Sequence, residues 1–259
     1  MEDPIPEDLE VPATFRYSAF YDLLADAAFQ HRHAKAEEDS YSMSRYARAS
    51  VLAASLSVEC AANCLLSSLD LSQALHSELD RLTPIAKVET YLRLRAIEGF
   101  DRGCVAVQRV VELTKARNDH VHPKASAIPA SVNKPQDGDD NWILPFNIDG
   151  EHWKHLKIPK RSMFWSSTSS LAALGAVASF YTYLFCDLLK ATEDEIHRML
   201  PSRLEIGDAH VLTVFDEIRT ELRSADEHGI DFSFFGLFDA SPTQQPSNNS
   251  FKRTPDGAA

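Results

Sequence analysis

At 259 residues, with 44% apolar and 25% charged side chains, the chain has the make-up of a soluble globular protein that can bury a core without disulfides or metal. Its formal net charge of −12 excludes a generic whole-surface nucleic-acid binder, because phosphate contact needs basic residues; a small local basic site stays open. The cysteines Cys60, Cys64, Cys104 and Cys186 form no CxxC pair and read as small core residues of a reduced, cytosolic protein, although Cys60 and Cys64 stand at i,i+4 spacing.

The first twelve residues, MEDPIPEDLEVP, are acidic and proline-bearing, have none of the features of a signal peptide, and are expected to be a flexible terminus. Apolar residues at helical spacing then predict a helix from Phe15 to about Glu38. A second, Ser40 to Leu69, has Ser40 or Ser42 as its cap and a stripe of Leu52, Leu56, Glu59, Asn63 and Leu66. Ser72 starts a short helix to about Arg81. Thr83-Pro84 opens another to about Ile97, which Gly99 ends. Asp101 caps a helix through Val107, Val110, Val111 and Leu113 to about Asn118, and Pro123 forbids its continuation.

Residues 124–160 read as an irregular insert. NKPQDGDDN is its clearest loop, and the apolar runs of Trp142 to Pro159 suggest a hairpin around Asp149-Gly150. Ser162 to Cys186 has no charged residue and is long enough to span a membrane, but Ser166 to Ser170 make its first third polar, so it reads as a buried core helix. TEDEIHRML is a short helix from Thr192, and Ala209 to about Ala225 an amphipathic last helix. The aromatic DFSFFGLFD is expected to dock on the core, and the polar residues 239–259 to be disordered. The expected fold class is all-α, an antiparallel helical bundle with a loop and β-hairpin insert at about 124–160, in one domain over 13–238.

The densest polar run is TKARNDHVHPKA, Thr114 to Ala125. Arg117 lies seven residues after Val110 and four after Leu113, on the side of the apolar stripe. A guanidinium aimed at a core is costly unless it is paired or wet. Glu59 and Asn63 occupy stripe positions on the second helix and are candidate partners. The expectation is an internal polar cluster of Arg117, Glu59 and Asn63, with His122 just past the helix end. An ion pair that only fixes helix register is the alternative, with His120 and His122 as plain loop histidines.

Arg117-Asn118-Asp119-His120-Val121-His122 resembles the R-N-x-x-x-H motif of HEPN domains. The resemblance covers about residues 13–190, the motif six. Arginine–histidine pairs of similar spacing recur at Arg203/His210 and Arg223/His228, where Leu204 and Ser224 follow the arginine. Asn118, the close of a long amphipathic helix and polar candidates on an earlier helix distinguish Arg117. The resemblance implies a helical bundle that dimerises around the motif. Many members of the family are metal-independent ribonucleases, often toxins or abortive-infection effectors, and others are non-catalytic binding or scaffold proteins. On the catalytic version Arg117 holds the scissile phosphate and stabilises its growing charge. His122 exchanges protons with the ribose 2′-hydroxyl or the leaving oxygen, Asn118 orients the site, and Glu59 holds Arg117. Attack by the 2′-hydroxyl cuts RNA and spares DNA. The implied partners are a second copy of the chain, an RNA substrate, and an antitoxin or regulatory protein, with no cofactor, no metal and no membrane. The spacing of His120 does not fit the motif, and the motif does not call for the insert after His122.

Local charge adds a second argument. Arg102 to Lys124 carries five Lys or Arg against two acids, and HWKHLKIPKR, His152 to Arg161, adds four. Lys115, Lys124, Lys154 and Lys157 are candidate RNA contacts on a basic, aromatic-bearing rim. The alternative for the second segment is a solvated hairpin edge. Glycine-rich phosphate loops, GxSxG and HExxH are missing from the sequence. Two other function classes remain: a non-catalytic bundle that binds a partner, and a membrane-associated protein using 163–186.

Overall fold

The computed structural model describes residues 11–125, 127, 130–132, 146–148, 150–207 and 209–238. In chain order the elements are β1 (Thr14–Arg16), α1 (Phe20–Ala36), α2 (Ser40–Ser67), α3 (Gln73–Leu79), α4 (Pro84–Leu94), α5 (Val105–Val121), β2 (Ala130–Val132), β3 (Phe146–Ile148), α6 (Ser167–Tyr181), α7 (Glu193–Met199), β4 (Arg203–Ile206), β5 (Ala209–Leu212) and α8 (Asp216–Ser224). The protein is mostly helical, with a small three-stranded antiparallel sheet and a two-stranded hairpin in the insert.

Local chemistry explains most helix starts. Ser72, Thr83 and Thr192 accept hydrogen bonds from N–H groups in the first turns of α3, α4 and α7, and Pro84 stands in the first turn of α4. Asp39, rather than Ser40 or Ser42, caps α2, its carboxylate accepting the Ser42 N–H at 2.7 Å. Asp101 does not cap α5; it folds back onto the N–H of Gly103 at 2.7 Å, and Cys104 precedes the first turn.

Helix α2 packs against α1, α4, α5 and α6. Its buried face consists of small residues: Ala47, Ser50, Val51, Ala54, Ser57, Val58, Ala61 and Ala62, joined by Leu65 and Leu66. The expected leucine stripe is therefore largely misplaced: Leu56 is 38% exposed and Asn63 is exposed. Alanine and serine let neighbouring helices approach closely, and the buried hydroxyls are satisfied locally. Ser50 donates to the Ala27 carbonyl at 2.7 Å, and Ser57 lies 3.0 Å from the Tyr181 hydroxyl.

Helix α6 continues as a wider π-helical segment, Thr182–Leu188. Both α2 and the stretch Ser167–Leu188 are long and apolar enough to cross a membrane; in this fold 61% and 50% of their most apolar windows are buried inside the protein. Phe20, Tyr21, Tyr181, Phe185 and Phe235 form one aromatic cluster in the core. Phe235 belongs to DFSFFGLFD, which docks on the core through Phe232, Phe235 and Leu237.

Three expectations are corrected. The helix expected over Ala209 to Ala225 is a strand followed by a shorter helix: β4 and β5 pair antiparallel across a turn at Gly207, whose φ of +57° suits glycine, and α8 starts at Asp216. The first helix begins at Phe20 rather than Phe15, because Phe15 belongs to β1 and pairs with Leu204 of β4. In the insert, β2 pairs with β3 in the register Ala130↔Ile148, so the hairpin is not centred on Asp149-Gly150. The NKPQDGDDN loop, the first ten residues and residues 239–259, for which a loop, a flexible terminus and a disordered tail were expected, lie outside the described residues.

Candidate functional site at the end of helix α5

Helix α5 carries the motif in its last turns. A Nη2 hydrogen of Arg117 donates to Glu59 Oε2 on α2, and its Nη1 donates to Asn118 Oδ1 at 2.8 Å. The expected Glu59–Arg117 pair is thus present. It sits at the margin of the α2–α5 interface, with side-chain exposures of 19% for Arg117 and 41% for Glu59, so water still reaches the carboxylate. A cation in the last turns also complements the partial negative charge of the helix C-terminus. Asn118 is exposed, and its side chain serves the arginine.

His122 is the C-cap of α5; its backbone N–H donates to the Asn118 carbonyl at 2.9 Å. The helix reaches Val121, three residues further than expected, with Pro123 just beyond the cap. The imidazole of His122 is exposed and has no hydrogen-bond partner among the described residues. His120 is placed differently. Its Nδ1 lies 2.8 Å from Ser162 Oγ and its ring is 5.6 Å from that of Trp165. Partial burial, then the Arg48 charge, holds its pKa below the usual histidine value.

Asn63 does not join this cluster. Its Oδ1 accepts from Lys87 Nζ at 2.6 Å, and the same ammonium reaches Asp80 Oδ1 at 3.2 Å. Lys87, on α4, is only 4% exposed. The expected three-residue cluster is therefore two separate ones, Arg117 with Glu59 and Lys87 with Asn63. Lys87 was legible in principle: it lies one turn before the buried Tyr91, between Ile85 and Val88, where a charge needs a partner.

The second basic segment folds back on itself through an isolated antiparallel bridge between His152 and Pro159, in keeping with the hairpin alternative. Residues 151–160 form a tight loop closed by the Lys160 N–H on the Glu151 carbonyl at 2.7 Å and the Trp153 N–H on the Ile158 carbonyl at 2.9 Å. Leu156 and Ile158 are buried. The loop hangs on α5 through Glu112, a buried residue absent from the expectations, whose Oε2 accepts the N–H groups of His155 and Leu156 at 2.7 Å each. Lys154 and Lys157 are thereby carried on a loop fixed to the helix that bears Arg117. They, Lys115 and Lys124 are exposed and form no ion pair among the described residues. Lys160, in contrast, is held by Glu151 at 2.6 Å and lies over the Trp153 ring.

The two other arginine–histidine pairs have structural duties. Arg203, on β4, is bonded to Glu205 at 2.8 Å, and Arg223, in the last turn of α8, donates to the Phe238 carbonyl at 3.2 Å. Comparison with known proteins brings no match: no family model matches the chain, and neither a curated protein nor a solved structure is similar to it.

Proposed function

We propose that the chain is a HEPN-like, metal-independent endoribonuclease that cleaves RNA by attack of a 2′-hydroxyl, acting in the cytoplasm as a homodimer of helical bundles. The observation that carries this reading is the hydrogen-bonded set Glu59–Arg117–Asn118, with the exposed imidazole of His122, which has no hydrogen-bond partner among the described residues, at the cap of the same helix. The arginine is positioned from behind by a carboxylate, the arrangement a phosphate-binding guanidinium needs. Among the described residues the histidine has no internal bond to break before it can move a proton. Exposed Lys115, Lys124, Lys154 and Lys157 support an RNA path along α5 and the loop anchored to it.

The test incubates the purified chain with an RNA and a DNA of the same sequence in EDTA. Cleavage of the RNA alone, leaving 2′,3′-cyclic phosphate ends, is expected, lost in Arg117→Ala and in His122→Ala and retained in His120→Ala. An undiminished rate in His122→Ala refutes the assignment.

One observation favours a second reading, a non-catalytic binding bundle of the same shape: both of the arginine's bonds stay inside the protein. In that case Arg117→Ala lowers stability by about 1 kcal/mol, since the half-wet Glu59 rehydrates, while His122→Ala changes neither stability nor any activity.

A further inference from the structure

The three-stranded sheet carries a charge arrangement that strand pairing does not explain. Arg16 on β1 stands directly opposite Arg203 on β4. Like charges at directly opposed cross-strand positions destabilise a sheet. Side chains alternate along a strand, so Glu205 and His210, themselves a cross-strand pair of β4 and β5, share the face of the two arginines. One acid answers both cations: Glu205 Oε1 accepts from Arg16 Nε at 2.7 Å and from Arg203 Nε at 2.8 Å. Both bonds use Nε. The terminal Nη groups of Arg16 and Arg203 make no hydrogen bond among the described residues.

A cleft of about 300 Å³ opens beside this pair. Arg16, Arg198, Arg203, Tyr17, Ser67 and Ser68 are among its walls, and no carboxylate lines it among the described residues. Arg198 comes from α7, where Asp194 one turn earlier lies 2.9 Å from its Nη2. Ser67 and Ser68 close α2 and donate to the carbonyls of Cys64 and Leu65 at 2.8 and 2.7 Å. They cover the partly negative helix end and leave the guanidiniums as the donors of the cleft. The Arg203 side chain is only 17% exposed, so water screens its charge weakly. Three cations thus meet in one concavity of a chain whose net charge is −12. Arg198 and Arg203 also wall a neighbouring cleft of about 230 Å³ that holds Glu205 and His210.

We propose that this cleft binds the phosphoryl group of a small phosphate monoester, with Arg203, Arg198 and Arg16 as its donors. A guanidinium fork matches two phosphate oxygens at once, and a dianion answers several guanidiniums where a single carboxylate answers fewer. Bound phosphate also offsets the repulsion between Arg16 and Arg203, which Glu205 alone relieves in the free protein. The size of the cleft suits a small metabolite. The organic part extends past Arg203 into the neighbouring cleft, where the Glu205 carboxylate accepts from ligand hydroxyls and His210 supplies a ring nitrogen; a sugar phosphate has that make-up. This site uses neither Arg117 nor His122, and it holds or fails apart from the RNA reading.

Calorimetric titration of the full chain with inorganic phosphate, ribose 5-phosphate and ribose tests the assignment. Ribose 5-phosphate is expected to bind one to one and about threefold or more tighter than inorganic phosphate, and ribose not at all. Arg203→Lys keeps the charge but loses the fork, and should weaken ribose 5-phosphate binding about tenfold. Arg203 also holds Glu205, so Arg198→Ala, at an exposed position outside the sheet, keeps the test independent of that bond; a loss of about threefold or more is expected. Arg45→Ala makes the same charge change at the opposite end of α2 and should leave the affinity within about twofold. Failure of both phosphates to bind, ribose 5-phosphate no tighter than phosphate, or equal affinities in Arg198→Ala and Arg45→Ala overturns the proposal. Displacement of ribose 5-phosphate by an RNA oligonucleotide with a free 5′-hydroxyl would assign the cleft to RNA and overturn it as well.

Discussion

Replacing Glu112 by alanine removes the one carboxylate oxygen that accepts two backbone N–H groups, those of His155 and Leu156, at 2.7 Å each. Glu112 is only 8% exposed, so water replaces the lost bonds poorly. A hydrogen bond to a charged group contributes about 1.5–3 kcal/mol, and two of them give roughly 3–6 kcal/mol before local relaxation. Relaxation keeps the net loss near the lower end, about 3 kcal/mol. The buried side chains of Leu156 and Ile158, worth roughly 1.5–3 kcal/mol each, still favour docking of the loop. At 1.4 kcal/mol per tenfold, 3 kcal/mol corresponds to about a hundredfold rise in opening of the 151–160 loop. Amide hydrogen exchange reads this directly: protection of His155 and Leu156 should fall about a hundredfold while the amides in the middle of α2 keep theirs. Glu112→Gln keeps one acceptor oxygen and should lose about 1–2 kcal/mol. Protection at residues 155 and 156 that changes less than fivefold in Glu112→Ala would refute the reasoning, since the carboxylate would then not be what holds the loop. The same variant bears on the proposed RNA path: freeing Lys154 and Lys157 from α5 should weaken RNA binding without touching Arg117.

His31 supplies a pH prediction. It is buried, bonded through Nδ1 to Ser170 Oγ at 2.7 Å, and faces the ring of His228 at 4.8 Å, with Lys35 Nζ 3.1 Å from His228 Nδ1 and the Arg32–Glu221 ion pair adjoining. Burial, then His228 and Lys35, lowers its pKa to about 4, so the fold prefers the neutral ring. The stabilisation is fully present above the unfolded value of about 6.5 and is lost as pH falls through 4, by up to about 3 kcal/mol. Urea midpoints at pH 7 and pH 5 should therefore differ more in the wild type than in His31→Asn; equal differences would contradict it. Gly236 has a φ of +64°, and a Cβ there would meet the Glu193 carboxyl at 2.5 Å. Gly236→Ala should cost about 1–2 kcal/mol and lower the Tm by a few degrees, with an unchanged Tm counting against the docking of the C-terminal aromatic segment.

Legibility of the sequence differed from element to element. Helices whose ends carry local signals were readable: Ser72, Thr83-Pro84 and Thr192 act within four residues of themselves, and Pro123 stops α5 for reasons internal to the chain. The Glu59–Arg117 pair was also within reach, because a guanidinium on an apolar stripe demands a partner and few acids lie at comparable positions. The composition of the run 162–186 signalled a helix, which runs over Ser167–Tyr181 and its π-helical continuation and is half buried in its most apolar window.

Tertiary structure alone decided the rest. Strands β1 and β4 are nearly two hundred residues apart, and a three-residue strand has no periodicity of its own; Phe15 extends a helical pattern until Leu204 pairs with it. Most of the buried face of α2 is alanine and serine, whose hydrophobic signal is weak, so the stripe through Leu56 pointed partly to the wrong side while Leu66 is buried as expected. Lys87 claimed Asn63, and Glu112 claimed the backbone of residues 155 and 156, because a buried charge bonds to whatever packing brings within 3 Å. Residue type and spacing determined where helices begin and which charges need partners. Which partner each charge obtained depended on how the helices lie against one another, a long-range property that local spacing does not encode.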